Sequence, residues 1–156
     1  MDLDPQWEFV TDGVMGGFSH GALSQETVMG RAATVLRGEV SLENDGGFIQ
    51  MAFDLEPDGG VFDASAWQGL ELDVLGDGQR YDLRLRTDQL SRPWQSFRTG
   101  FAARPDWTHH RLPFVELVAH KTKAVFDPSR LRRIGLLAIG APGPVELAVA
   151  RIGFFR

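Results

Sequence analysis

The 156-residue chain contains no cysteine. It therefore has no disulfide, zinc–thiolate site, iron–sulfur cluster or cysteine nucleophile. Cations are also scarce, because sixteen Lys and Arg stand against twenty-one Asp and Glu, giving a formal net charge of −5. Nucleic-acid-binding domains normally carry a basic surface, so this balance argues against a nucleic-acid partner. No run approaches the roughly 18 apolar residues that a membrane span needs, and we predict none.

The N-terminal residues, Met-Asp-Leu-Asp-Pro, are acidic and lack the apolar core of a signal peptide. Together with the missing cysteines, this favours a cytoplasmic protein. The length is typical of one domain, which we place over residues 1–156.

Short apolar segments separated by 18 glycines and eight prolines dominate the sequence. Residues 70–74 and 81–86 alternate between apolar and polar, which indicates strands with one buried face. Ile134–Ile139 is almost wholly apolar and predicts a central strand. A change of phase near Ala150-Arg151 predicts a β-bulge, and Gly76-Asp77-Gly78 predicts a hairpin turn. We therefore expect an all-β sandwich of about eight to ten strands.

One strand presents a candidate binding surface. If Tyr81, Leu83 and Leu85 face the core, Arg84 and Arg86 share the opposite face. Exposed ion pairs contribute only about 0–1 kcal/mol, whereas guanidinium groups suit carboxylates and sugar hydroxyls. We predict a surface of both arginines and one of two sets from a neighbouring strand, either Gln95 and Phe97, or Trp94, Ser96 and Arg98. A solvated charged face is the alternative interpretation.

Gly17-Phe18-Ser19-His20-Gly21 fits the G-x-S-x-G pattern of a hydrolase nucleophile elbow. An elbow needs a strand before the serine and a helix after it. Here the preceding residues predict a turn, and Ala22–Val28 predicts a strand, so a serine hydrolase using Ser19 is the least favoured function. Adjacent His109 and His110 would point to opposite faces of a strand and could not share an ion. We predict no catalytic residue, metal or cofactor.

Two glycine motifs, at residues 12–19 and 44–48, supply a second set of candidate residues. Their glycines allow tight turns or close chain approach, and their polar side chains can cap the backbone groups that turns leave open. The loops either fasten one end of the sandwich, which is the favoured interpretation, or form a binding rim. The motif residues are Asp12, Met15, Gly16, Gly17, Ser19, Asn44, Gly46, Gly47 and Phe48.

The order of these motifs and of four further segments resembles the complex I intermediate-associated protein 30 family over nearly the whole chain. The further segments are Trp7, Gly76-Asp77-Gly78, Trp107 before Leu112-Pro113-Phe114, and Ile134-Gly135-Leu136. The resemblance implies a galactose-binding-domain-like jelly roll, a fold that many carbohydrate-binding modules also use. It implies a non-catalytic, chaperone-like domain that binds a protein partner, an assembly intermediate of respiratory complex I (NADH:ubiquinone oxidoreductase). A carbohydrate-binding module is the alternative, supported by that fold and by Trp94–Arg98.

Overall fold

The strands form two antiparallel sheets packed face to face, and the apolar positions of the alternating strands are buried between them. The computed structural model describes the backbone of residues 1–156 and every side chain except that of Asp45. The strands are β1 Glu8–Thr11, β2 His20–Val28, β3 Arg31–Val40, β4 Phe48–Asp54, β5 Gly69–Gly76, β6 Arg80–Thr87, β7 Ser96–Ala102, β8 Thr108–Pro113, β9 Val118–His120, β10 Leu131–Ile139 and β11 Gly143–Phe155.

The two sheets confirm the predicted all-β sandwich. The six-stranded sheet has the order β1-β4-β10-β6-β7-β9, and the five-stranded sheet has the order β2-β3-β11-β5-β8. The apolar segment Ile134–Ile139 lies in β10, between β4 and β6, as expected for a central strand. The eleven strands exceed the expected number by one.

Helical structure among the described residues is limited to single 3-10 turns. They comprise Asp12–Met15, Glu43–Asp45, Phe114–Glu116 and Pro128–Arg130. None of these turns has the length or the apolar character that crossing a membrane would require.

The segment Gly76-Asp77-Gly78 is not a hairpin turn, and that prediction is wrong. The strands on either side of it, β5 and β6, belong to different sheets, so the segment carries the chain across the sandwich. Alternation on both sides of a turn looks the same for a hairpin and for such a crossing. The predicted bulge is confirmed, because the register of β11 against β5 shifts between Val149 and Arg151.

Tyr81 ties the two sheets together from inside the core. Its ring is buried and stacks on Phe101 at 6.1 Å between centroids. Its hydroxyl donates to the Asp77 carboxylate over 2.9 Å and accepts from the Glu146 backbone N–H over 3.2 Å. Because Tyr81 lies in β6 and Glu146 in β11, one side chain links both sheets.

The sole tyrosine makes this tie directly measurable. Burial, together with the Asp77 carboxylate, raises the pKa of Tyr81 above its usual value of 10.0. A raised pKa means that the stabilisation from the neutral phenol is complete below that pH and is lost as the pH rises above it. We expect phenolate absorbance to appear only together with loss of the β-sheet circular dichroism signal in an alkaline titration.

Tyr81→Phe is the matched variant, since it removes only the hydroxyl. We expect it to cost about 1 kcal/mol of unfolding free energy at neutral pH. That difference from the wild type should shrink above the ordinary tyrosine pKa. Phenolate absorbance that rises while the folded signal is unchanged would contradict the buried tie.

Candidate binding surface

The outer face of β6 and β7 is strongly positive in a chain whose net charge is negative. Tyr81, Leu83 and Leu85 are buried on the inner side of β6, as predicted, so the intervening residues face outward. This arrangement gives four arginines and one aspartate on neighbouring positions. We call this set the arginine face: Arg80, Asp82, Arg84 and Arg86 on β6, and Arg98 on β7.

Two arginines of this face lie directly opposite each other. Arg84 and Arg98 are Cα partners in the antiparallel pairing of β6 with β7. Like charges in such a position are unfavourable unless something compensates them. The Arg84 Nη2 atom lies 3.1 Å from the Asp82 carboxylate, and the Arg84 side chain is only 14% exposed. No described side chain forms a hydrogen bond or ion pair with Arg98 in the same way.

His120 borders the arginine face from the edge strand β9, opposite Ser96. Burial, together with the positive charges of Arg98 and Arg84, lowers the pKa of His120 below its usual 6.5. The lowered pKa favours the neutral imidazole, which does not compete with the arginines as a cation. A guanidinium with free donors beside a second, neutralised one can bind a carboxylate through two parallel hydrogen bonds.

Arg86 and Gln95, both expected at the binding surface, instead hold the loop before β7. Arg86 Nη1 donates to the carbonyls of Arg92, Pro93 and Gln95 at 2.9, 2.7 and 3.1 Å. The Gln95 side chain accepts from the backbone N–H groups of Ser91 and Arg92, both at 3.0 Å. These donors and acceptors are already used within the chain.

The register of β7 decides between the two predicted neighbour sets. Phe97 pairs with Leu85 on the inner side, is 1% exposed and meets Phe126 edge-on, so its placement on a surface is wrong. Arg98 is on the outer side. Ser96 is buried, and Trp94 is 56% exposed in the loop that precedes β7. Arg98 and Trp94 are thus the accessible members of the predicted sets.

The two glycine motifs meet at a fully buried carboxylate. Asp12 accepts hydrogen bonds from the Ser19 N–H (3.0 Å), the Ser19 hydroxyl (2.5 Å), the Gly47 N–H (2.6 Å) and the Phe48 N–H (3.2 Å). A Cβ at Gly17 or Gly46 would lie within 2.6 Å of the Asp12 carboxyl group. Glycine is required at both positions for this close approach. The loops therefore fasten this end of the sandwich.

Other motif residues are placed around this carboxylate. The Asn44 side-chain amide donates to the Gly16 carbonyl over 3.3 Å, and Asn44 and Gly16 both adopt positive φ. Met15 is 61% exposed to solvent. The loops thus combine buried polar contacts with at least one exposed apolar side chain.

Ser19 does not have the geometry of a nucleophile elbow. A 3-10 turn precedes it, β2 follows it, and its hydroxyl is held by Asp12.

His109 contacts Asp73 over 2.6 Å, whereas His110 contacts the Ala102 carbonyl over 2.9 Å, so the two rings lie on opposite faces of β8. In the described part of the chain, no group of three or more His, Asp or Glu is arranged to hold a metal ion.

Comparison with known proteins gives one family and one fold. The family model described as complex I intermediate-associated protein 30 matches residues 2–149. A family 11 carbohydrate-binding module from Clostridium thermocellum, solved with a beta-1,3-1,4-mixed-linked tetrasaccharide, has a TM-score of 0.75 at 13% identity, covering 99% of this chain and 94% of that one. No curated protein matches the chain.

Two further solved structures share the architecture. A family 30 carbohydrate-binding module of a cellulosomal cellulase of Clostridium thermocellum has a TM-score of 0.61 at 18% identity, covering 98% of this chain and 94% of that one. An exo-beta-agarase has a TM-score of 0.61 at 13% identity, covering 99% of this chain and 24% of that one. These likenesses establish the galactose-binding-like jelly roll as the fold.

Removing the Asp12 charge tests the loop anchor. Burial alone would raise the pKa of Asp12, but the donors from Ser19, Gly47 and Phe48 outweigh it and lower the pKa below the usual 3.8. The stabilisation is therefore present above that pH and is lost as the pH falls below it. Asp12→Asn sets an amide N–H against backbone donors, and we expect a loss of about 2–3 kcal/mol in unfolding free energy.

Asp58→Asn is the matched control, because Asp58 is exposed and accepts from the Gly60 N–H alone. We expect the control to change stability by less than about 0.5 kcal/mol. The difference between wild type and Asp12→Asn should diminish in acid. Equal denaturation midpoints for the two variants would contradict the anchoring role of Asp12.

Proposed function

Because the chain belongs to the complex I intermediate-associated protein 30 family, we propose that it is a non-catalytic domain that binds a protein partner, an assembly intermediate of respiratory complex I, through the arginine face. The observation that carries the proposed site is the cross-strand pair of Arg84 and Arg98, in which only Arg84 has a carboxylate partner. We also propose a cytoplasmic location, which cell fractionation would test.

The arginine face favours an acidic protein surface as the partner. A carboxylate placed at Arg98 would compensate the like-charge contact with Arg84 and satisfy donors that are free in the chain alone. Arginine is enriched in protein interfaces and often contributes a large share of the binding free energy. The Asp82 carboxylate holds the Arg84 guanidinium in place before a partner arrives, which lowers the entropic cost of binding at that residue.

The arrangement of potential nucleophiles supports a role without catalysis. The Ser19 hydroxyl is engaged by a buried carboxylate rather than by a histidine. His109 and His110 of β8 contact the Asp73 carboxylate and the Ala102 carbonyl. In the five-stranded sheet, β8 lies at the opposite edge from β2, the strand that follows Ser19.

A carbohydrate-binding module is the second candidate, favoured by Trp94. Its indole is more than half exposed in a loop whose backbone Arg86 holds in place, and sugar C–H groups pack well on aromatic faces. A solved module of the same fold binds a mixed-linked tetrasaccharide. The outward positions of β6 and β7, however, carry arginines, aspartate, serine and glycine rather than aromatic rings. This composition ranks the sugar candidate second.

Arg84→Ser combined with Arg98→Ser tests the proposed site. Arg86 is left unchanged because its three carbonyl contacts give it a structural role. We expect capture of complex I components from native cells to fall about tenfold or more, with a melting temperature within a few degrees of wild type. Quantitative mass spectrometry of the captured proteins measures the effect.

Arg104→Ser with Lys123→Ser removes the same charge from exposed positions elsewhere and serves as the control. Capture should be unaffected by that change. Unchanged capture by the folded Arg84/Arg98 variant would refute the site. Capture that contains no complex I component would refute the proposed partner.

Trp94→Ala separates the two candidate functions. On a glycan array we expect no sugar binding that depends on Trp94, because the neighbouring strands offer no aromatic platform. Sugar binding that is lost in Trp94→Ala, but retained when Arg84 and Arg98 are replaced, would establish the carbohydrate-binding module instead. Trp94 is exposed, so its loss should leave the fold intact, which circular dichroism would verify.

A further inference from the structure

One end of the sandwich exposes a cluster of large apolar side chains. Between 41% and 78% of each side chain is accessible, whereas residues of this type are mostly buried in folded domains. We call this cluster the apolar tip: Val14, Met15, Phe18, Leu42 and Ile139. Exposed apolar groups that cluster in this way mark interaction surfaces, in contrast to the same residues scattered singly.

Three segments bring these side chains to the same end of the molecule. The Asp12 carboxylate joins the loop that carries Val14, Met15 and Phe18 to the backbone of Gly47 and Phe48. Phe48 is the Cα partner of Ile139, and the Gly140 N–H donates to the Gly47 carbonyl over 2.9 Å. A Cβ at Gly47 would lie 3.2 Å from Leu42 Cδ2, so Leu42 lies against the same turn.

The tip is presented by a fixed scaffold. The four hydrogen bonds to Asp12, together with the positive φ of Gly16 and Asn44, determine the path of both loops. Loops whose backbone is held in place before contact lose less conformational entropy when a partner binds. Phe and Met are also among the residues enriched at interface cores.

The charge around the tip determines the kind of partner. Residues 12–20, 39–48 and 138–143 contain no Lys or Arg, but they contain Asp12, Glu39, Glu43 and Asp45. The Asp12 carboxylate is fully buried and accepts four hydrogen bonds within the loops, so it does not contribute to the exposed charge. Glu39 and Glu43 line a shallow groove with Leu42, Pro142 and Gly143 at the margin of the tip. An anionic membrane surface would be repelled, and two copies meeting tip to tip would oppose their carboxylates.

We propose that the apolar tip is a docking surface for an apolar segment of a protein partner that carries Lys or Arg beside its apolar residues. The apolar side chains of this segment would cover Met15, Phe18 and Leu42, while its cations would face Glu39 and Glu43. This surface is separate from the arginine face, and it holds whether or not the arginine face binds complex I intermediates.

Selection from a random peptide display library tests the proposal with the purified chain. We expect the enriched peptides to combine large apolar residues with Lys or Arg. Met15→Ser with Phe18→Ser should weaken binding of an enriched peptide about tenfold or more. Glu39→Gln with Glu43→Gln should weaken it less and should reduce its dependence on salt.

Val115→Ser with Val125→Ser is the control, because both valines are strongly exposed at other sites. The side chains replaced in the tip, glutamate and control variants lie at the surface, so we expect each variant to keep the melting temperature of the wild type. This measurement verifies that each variant is folded. Flotation with phosphatidylserine vesicles and sedimentation analysis complete the experiment. No enrichment, enrichment of acidic peptides, equal loss in the control, or tip-dependent vesicle binding or dimerisation would each overturn the proposal.

Discussion

The buried carboxylate of Asp12 is the contact on which the rest of the structure depends. A charge removed from water is stable only when donors surround it, and here two loops supply all four of its hydrogen bonds. The chain leaves the six-stranded sheet at Thr11, enters the five-stranded sheet at His20 and returns at Phe48. Asp12 lies where these passages meet. It therefore fixes the alignment of the two sheets as well as the shape of the loops.

The fold and the charged surface of the chain need separate explanations. The jelly roll follows from alternating strands that bury one face each, and very different sequences satisfy that requirement. Contacts with a partner are made by surface side chains, whose identity the core does not constrain. On β6 and β7 those side chains are mainly arginines, with one aspartate for compensation. The likeness to carbohydrate-binding modules therefore describes the scaffold, while the arginines of β6 and β7 are the basis of the ligand class that we propose.

The sequence pattern predicts faces well and neighbours poorly. Period-two alternation correctly placed Arg84 outside, and a change of phase located the bulge in β11. It could not show that β5 and β6 lie in different sheets, because alternation carries no information about pairing. For the same reason, alternation left open whether Phe97 or Arg98 lies on the outer face beside Arg84. The use of Arg86 as a loop clamp depends on three carbonyls brought near by folding, which no local pattern reports.

The order of strands in the sheets has a consequence for synthesis of the chain. Among the described strands, β2–β3 and β6–β7 are the pairs that are also adjacent in sequence. The two strands that complete the sheets, β10 and β11, are made after the other described strands, and each lies between strands made much earlier. A nascent chain that ends before β10 exposes unpaired strand edges on both half-sheets. We therefore expect productive folding to wait until these strands have left the ribosome, and to be slow because distant segments must meet first.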